Sequence, residues 1–185
     1  WALGNADDAD GSAAVTALGT ALRKDSDVDV REPAAWALGK SGSEAATDAL
    51  ASAAESDQST RVRGTAAWAM GHIGHADSRA VAGLTHLLGD SNDDTRLRAA
   101  WALGQIGDNS AMQPIREALN REKNSEVRRA LVRAFVKSGG DSSRLMTGLL
   151  NSGDPEVREA AVRSLAGARA FNPWPWPWPR PRPWP

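Results

Sequence analysis

The chain contains no cysteine. This excludes disulfides and thiol catalysis and leaves the redox compartment open. No apolar run approaches the ~20 residues of a membrane span, so no spanning helix is expected. Aromatic residues make up only 5% of the chain, and most of these are tryptophan. No Asn-x-Ser/Thr triplet occurs, so N-glycosylation at that sequon is not expected.

What is abundant is alanine, which supplies much of the 41% hydrophobic content. Small side chains let helices approach closely, which favours thin, stacked helical layers over a thick core. The net charge of -1 hides an asymmetry, because residues 1–92 carry 7 Lys/Arg against 13 Asp/Glu and residues 93–185 carry 15 against 10. Head and tail therefore have opposite sign. This is either drift among solvated charges or a means of steering one end toward the other.

One stretch recurs. Ala34-Ala35-Trp36-Ala37-Leu38-Gly39 returns as Ala66-Ala67-Trp68-Ala69-Met70-Gly71 and as Ala99-Ala100-Trp101-Ala102-Leu103-Gly104. The chain opens on its second half, Trp1-Ala2-Leu3-Gly4, and worn copies run from Val127 to Phe135 and from Val157 to Leu165, with Arg133 and Arg163 at the Trp position. A period of roughly 30 to 35 residues marks a helical repeat array. The start inside a repeat, without Met, reads as a processed product or a fragment.

Each repeat reads as two helices. First-type helices are expected near residues 11–23, 43–55, 76–89, 109–122 and 141–151, with Ala46, Leu50 and Ala53 on one face of the second. Second-type helices are expected near 28–40, 60–72, 93–105, 125–137 and 155–168, with Ser59 as a candidate N-cap. The links His72-Ile73-Gly74-His75 and Gln105-Ile106-Gly107-Asp108 supply glycines for left-handed C-caps. Gly71 and Gly104 read likewise as helix-ending. Pro33 is placed in the first turn of its helix, and Pro114 is expected to delay or kink its helix start.

Val30-Arg31 with Ala34-Ala35-Trp36-Ala37-Leu38-Gly39 and Gly42, and the matching Val62-Arg63 copy, resemble HEAT-like repeats of the class named after phycobilisome lyases. The resemblance covers about residues 1–169. It implies an all-α fold: an α-solenoid of about five HEAT-like helix pairs, followed by an extended Pro/Trp-rich tail over 170–185. It does not imply one function, since such arrays serve lyases, hydroxylases, scaffolds and sensors. A HEAT-like segment with a Pro/Trp-rich end is also similar to the C-terminal, outward-facing part of some bacterial membrane metallopeptidases, in which case Trp1 marks either a cleavage site or the edge of an expressed fragment.

With Val30 at zero and about 100° per residue, Ala34, Ala37 and Leu38 fall within about 80° of it, and Trp36 lies near 240°. The tryptophans are thus off the core stripe. Trp36, Trp68 and Trp101 either cover the neighbouring repeat or form an aromatic ladder that serves as a receptor groove. A second row, Arg31, Arg63, Arg96, Arg128 and Arg158, follows the repeat valine, with Asp29, Asp57, Asp94, Glu126 and Glu156 just upstream. The HEAT-like resemblance implies that such Asp and Arg ladders tie repeats together. Nucleic-acid binding along the Arg row is opposed by the acidic first half, and no nucleic-acid partner is expected.

In the tail, Pro occupies every second position from Pro173 to Pro185, which excludes helix. At ~3.1 Å per residue as polyproline II it reaches about 40 Å. Pro never recurs three residues on, so the PxxP ligand pattern is absent. Trp174, Trp176, Trp178 and Trp184 suit stacking on other aromatics, and Arg180 and Arg182 favour an acidic host. A membrane-active peptide is the lesser reading, since two arginines are few for that role.

Catalytic signatures are weak. His72 and His75 share a link, but no His is followed by Glu and no carboxylate cluster accompanies them, so no metal site and no cofactor is expected. Bilin-lyase activity is implied only by the family resemblance. The leading expectation is a non-enzymatic array, extracellular or at the cell surface, that assembles head to tail with itself into a filament. Its first helix (Val15, Leu18, Leu22) follows only a stub of its partner, and its last repeat (Val157, Val162, Leu165) has no polar capping helix. The alternatives are a monomeric interaction or sensor module with the tail folded on its own groove, and a bilin-lyase-like enzyme.

Overall fold

Short alanine-rich segments punctuated by Asp, Asn and Gly give helices that cannot bury a face alone and must stack to acquire a core. A computed structural model describes residues 8–139 and 143–165. It contains α1 (Asp8–Lys24), α2 (Val28–Ser41), α3 (Thr47–Ser56), α4 (Thr60–Ile73), α5 (Ser78–Leu87), α6 (Asp93–Ile106), α7 (Met112–Arg121), α8 (Ser125–Lys137), α9 (Ser143–Leu150) and α10 (Pro155–Leu165). No strand occurs among the described residues. None of their helices is long and apolar enough to cross a membrane.

The odd-numbered helices are the first-type helices and the even-numbered ones the second type. Each first-type helix packs on the second-type helix that follows it, and α2, α4, α6, α8 and α10 pack on one another in sequence order. On the other side, α1 packs on α3 and α3 on α5. The result is a two-layer α-solenoid. Its core is one continuous alanine-rich seam, punctuated by Leu22, Leu38, Leu50, Met70, Leu84, Leu103, Ile115 and Leu131, all fully buried.

The helix ends are specified locally. Asp77 accepts from the Arg79 and Ala80 N–H groups, Asn92 from the Thr95 N–H and Asn124 from the Glu126 and Val127 N–H groups, each satisfying donors that a helix start leaves orphaned. Ser59 occupies the N-cap position of α4 but makes no side-chain capping bond. At the C-termini, Gly74 and Gly107 adopt φ 69° and donate to Met70 O and Leu103 O. That left-handed conformation carries a steric cost for any residue with a Cβ.

Three expectations about proline and glycine need correction. Pro33 lies inside α2, past its first turn, because the helix already begins at Val28 under the Asp27 cap. Gly71 and Gly104 do not end helices. Both are buried in the last turns of their helices, where an added Cβ would lie 2.7 Å from Ala102 at Gly71 and 3.2 Å from Ala134 at Gly104. Before Pro114 a 3-10 turn, Asn109–Ala111, delays the α-helix to Met112. The equivalent turn Glu44–Ala46 precedes α3 without any proline, so the delay belongs to the repeat and not to Pro114.

Candidate functional site

The recurring Trp-Ala-Leu/Met-Gly segment sits where consecutive second-type helices cross. A Cβ built on Gly39 would lie 2.7 Å from Ala69 Cβ and 3.0 Å from Trp68 Cζ3. On Gly71 it would lie 2.7 Å from Ala102 Cα and 2.7 Å from Trp101 Cζ3. Each of these tryptophans therefore closes over the glycine of the preceding repeat while the alanine beside it touches that glycine's backbone. Trp68 and Trp101 are half-buried against the core, and Trp68 stacks on His72 with centroids 5.0 Å apart. Trp36 is more open, at 41% exposure.

A charged ladder runs beside this seam. Arg31 Nε and Nη2 donate to both carboxylate oxygens of Asp57, at 2.7 and 3.0 Å. Arg63 does the same to Asp90 at 2.6 and 3.1 Å, and Arg96 to Glu122 at 2.8 and 3.1 Å. The third nitrogen, Nη1, turns back to the chain's own loop. It donates to Asp25 O from Arg31, to Asp57 O from Arg63 and to Asp90 O from Arg96. Each guanidinium thus ties the loop before its own helix to the corresponding loop of the next repeat, with the planar fork that arginine alone presents.

The electrostatics follow from this geometry. Burial alone would raise the pKa of Asp57, but the hydrogen bonds from Arg31 and the Ser59 N–H, with the charges of Arg31 and Arg63, hold it below the ordinary carboxylate range. Asp90 and Glu122 are governed by the same balance and are lowered too. Two shallow grooves of about 470 and 460 Å³ open along this side, one lined by Arg23, Asp25, Arg31 and Asp57 and the next by Asp57, Arg63, His86 and Asp90.

The ladder acids are those six residues before the next ladder arginine, namely Asp57, Asp90 and Glu122. Of the carboxylates noted upstream of the arginines, only Asp57 is among them. Asp29 instead meets Arg61 at 3.0 Å, Asp94 meets Arg98 at 2.8 Å, and Glu126 lies 3.7 Å from Arg129. Nothing is described of the Glu156 side chain. Arg158 keeps the loop bond, donating to Ser152 O at 2.5 Å, whereas the Nε of Arg128 is buried without a hydrogen-bond partner.

At the tryptophan position of α8 stands Arg133, half-buried. Burial lowers its pKa first, the charges of Arg129 and Arg163 add to this, and Glu159 opposes them. His72 and His75 diverge: the first stacks on Trp68, and the second lies 3.0 Å from Glu44. Among the described residues no cluster of three His, Cys, Asp or Glu could hold a metal ion.

The two end repeats differ from the middle ones. Val30 is 40% exposed although its equivalents Val62, Thr95, Val127 and Val157 are buried. Val162 is 54% exposed although its equivalents Ala35, Ala67, Ala100 and Val132 are buried. The exposure of Val30 overturns its use as the centre of a core stripe. Val15 and Leu22 are buried and Leu18 partly so. The tail residues Trp174, Trp176, Trp178, Arg180, Arg182 and Trp184 lie outside the described residues, as does Trp1.

Comparison with known proteins agrees with this architecture. The HEAT repeats family matches residues 1–71 and 49–136. Among solved structures, a chain in the complex of CpcE and CpcF of phycocyanin lyase from Nostoc sp. PCC7120 is similar at 26% identity and TM-score 0.68, covering 89% of this chain and 67% of that one. A designed armadillo repeat protein in complex with the peptide (KR)4 matches at 20% identity and TM-score 0.61, over 85% of this chain and 83% of that one. An engineered protein matches at 21% identity and TM-score 0.60, over 82% and 79%. None of these relatives is a membrane metallopeptidase, and a comparison with curated protein sequences returns no match. The repeat architecture is that of a protein-interaction scaffold, and the chain belongs to the HEAT repeat family.

Proposed function

We propose that this chain is a non-enzymatic scaffold whose principal partner is a second copy of itself, stacked head to tail so that the repeat array continues from one copy into the next. The observation that supports this is the exposure of Val30 and Val162. Val30 and Val162 occupy positions that a neighbouring repeat buries everywhere else in the array. The ladder is complementary in the same sense. Asp25 stands at the position of a ladder acid at one end, and Arg158 at that of a ladder arginine at the other. Such a contact is heterologous and propagates unless it closes into a ring. In this reading the tail, residues 170–185, crosses onto the neighbour's Trp36, Trp68 and Trp101.

Sedimentation over a concentration series tests the proposal. Association is expected for the native chain, to be lost in Arg158→Glu and in Asp25→Arg and regained when the two variants are mixed. Deletion of residues 173–185 is expected to shorten the assemblies and leave the helices intact. A native chain that stays monomeric at every concentration overturns the proposal. The similarity to a chain of the phycocyanin lyase complex favours a second reading, in which the array works within a lyase and its partner is a different protein. Tight binding of a tetrapyrrole by the purified chain would establish that alternative.

A further inference from the structure

The ladder is interrupted at one rung, and the interruption has a defined chemistry. Three consecutive arginines each hold a carboxylate in both oxygens, and each carboxylate sits six residues before the next ladder arginine. Six residues before Arg158 stands Ser152. Its place in the loop is otherwise the same. Asp57, Asp90 and Glu122 accept from the N–H two residues on, at 2.8, 2.9 and 2.8 Å, and Ser152 Oγ accepts from the Asp154 N–H at 3.2 Å. The backbone carbonyl of Ser152 receives Arg158 Nη1 as Asp57 O and Asp90 O receive Arg63 and Arg96. The loop is therefore preserved and only the carboxylate is missing.

Arg128 holds the ladder position on α8, the helix that packs against α10. Its Nε is buried and has no hydrogen-bond partner. An unmade bond to a buried charged donor is costly.

We infer that the space between Arg128 on α8 and the Ser152 loop before α10 is a binding site for an external carboxylate, seated in the bidentate manner of the three complete rungs. The carboxylate comes either from a small free acid or from an Asp or Glu side chain of a bound polypeptide. The chemistry is the same in both cases. This inference does not depend on head-to-tail assembly, and either can fail alone.

The test is an NMR titration that follows the Arg128 Nε–H resonance of the full chain, first with sodium acetate and then with a glutamate tripeptide blocked at both ends. Sodium chloride at matched ionic strength is the reference. The resonance is expected to shift in a saturable way with at least one of the two ligands. Response to acetate at equal or lower concentration assigns the site to small acids, and a tighter response to the peptide assigns it to a polypeptide. Ser152→Asp restores the internal rung, so it is expected to abolish the shift and to raise Tm in chloride by about 2–4 °C. No shift with either ligand, or a shift that persists unchanged in the folded Ser152→Asp variant, overturns the inference.

Discussion

Replacing Gly71 with alanine sets two known effects against each other. In an exposed helix interior the change stabilises by about 0.8–1.0 kcal/mol, because alanine loses less backbone entropy. At Gly71 the new methyl would lie 2.7 Å from Ala102 Cα, 2.7 Å from Ala102 Cβ and 2.7 Å from Trp101 Cζ3. Two of these atoms belong to backbone or Cβ, which no rotamer change can move, so α4 and α6 must separate along the crossing. Overpacking of this kind costs about 1–3 kcal/mol, and rigid neighbours place it at the upper end. The expected net result is destabilisation by about 1–2 kcal/mol, read as a fall in Tm of about 2–8 °C in thermal unfolding followed by circular dichroism. Gly11→Ala is the control, since nothing lies within 4 Å of its Cβ, and it is expected to stabilise by up to ~1 kcal/mol. Gly71→Ala as stable as the native chain, with Gly11→Ala behaving as stated, refutes the claim that the glycine sets the helix spacing.

Asp90→Asn removes the charge of a nearly buried rung and is expected to cost about 1.5–3 kcal/mol in urea unfolding, whereas Asp29→Asn, in an exposed pair, is expected to cost under about 1 kcal/mol. Because Asp57, Asp90 and Glu122 titrate below the ordinary carboxylate range when folded, the unfolded chain takes up protons first as pH falls. Their contribution is complete above about pH 4 and is lost as pH drops through the lowered values, so the triple variant Asp57→Asn, Asp90→Asn, Glu122→Gln is expected to show a flatter acid-unfolding profile. Trp101→Ala is expected to destabilise by roughly 2–3 kcal/mol and Trp36→Ala by under about 1 kcal/mol, reflecting their different burial; equal costs in equilibrium unfolding contradict the covering role given to Trp101. Asn124→Ala removes a cap that accepts two N–H groups and is expected to cost about 1 kcal/mol, measurable as faster amide exchange at the start of α8.

The helical solenoid is legible in the sequence because its signals are local. The period of Ala-Ala-Trp-Ala-Leu-Gly, the glycines at 74 and 107, and the alternation of apolar stripes with Asp- and Gly-rich links each act within a turn or two. The role of Gly71 is not local. It depends on a helix some thirty residues later, and in isolation an interior glycine after Trp-Ala-Met reads as a stop. The rungs were half legible. Arginine after the repeat valine is plain, but its acid must be counted from the next repeat, and Asp29 and Asp94 are nearer decoys. Six residues before the five ladder arginines stand Asp25, Asp57, Asp90, Glu122 and Ser152, so Ser152 is the one without a carboxylate. The tryptophans remained ambiguous because angle alone cannot say whether a residue off the core stripe faces solvent or a neighbour. The packing over Gly39 and Gly71 sets one edge of Trp68 and of Trp101 against a neighbouring helix.

Arg31, Arg63 and Arg96 each bond to their own loop and to the next, which makes this part of the array modular in a specific sense. Excising residues 58–90 would leave Arg31 on Asp57, as it is now, and hand Asp57 O to Arg96 in place of Asp90 O. Gly39 would then meet Ala102 and Trp101, the same residue types that Ala69 and Trp68 present to it now. Whole periods can be added or lost in the middle of the molecule without orphaning a ladder arginine or a ladder carboxylate. Array length is therefore free to vary by recombination among repeats, while the register of each joint stays set by the guanidinium that spans it.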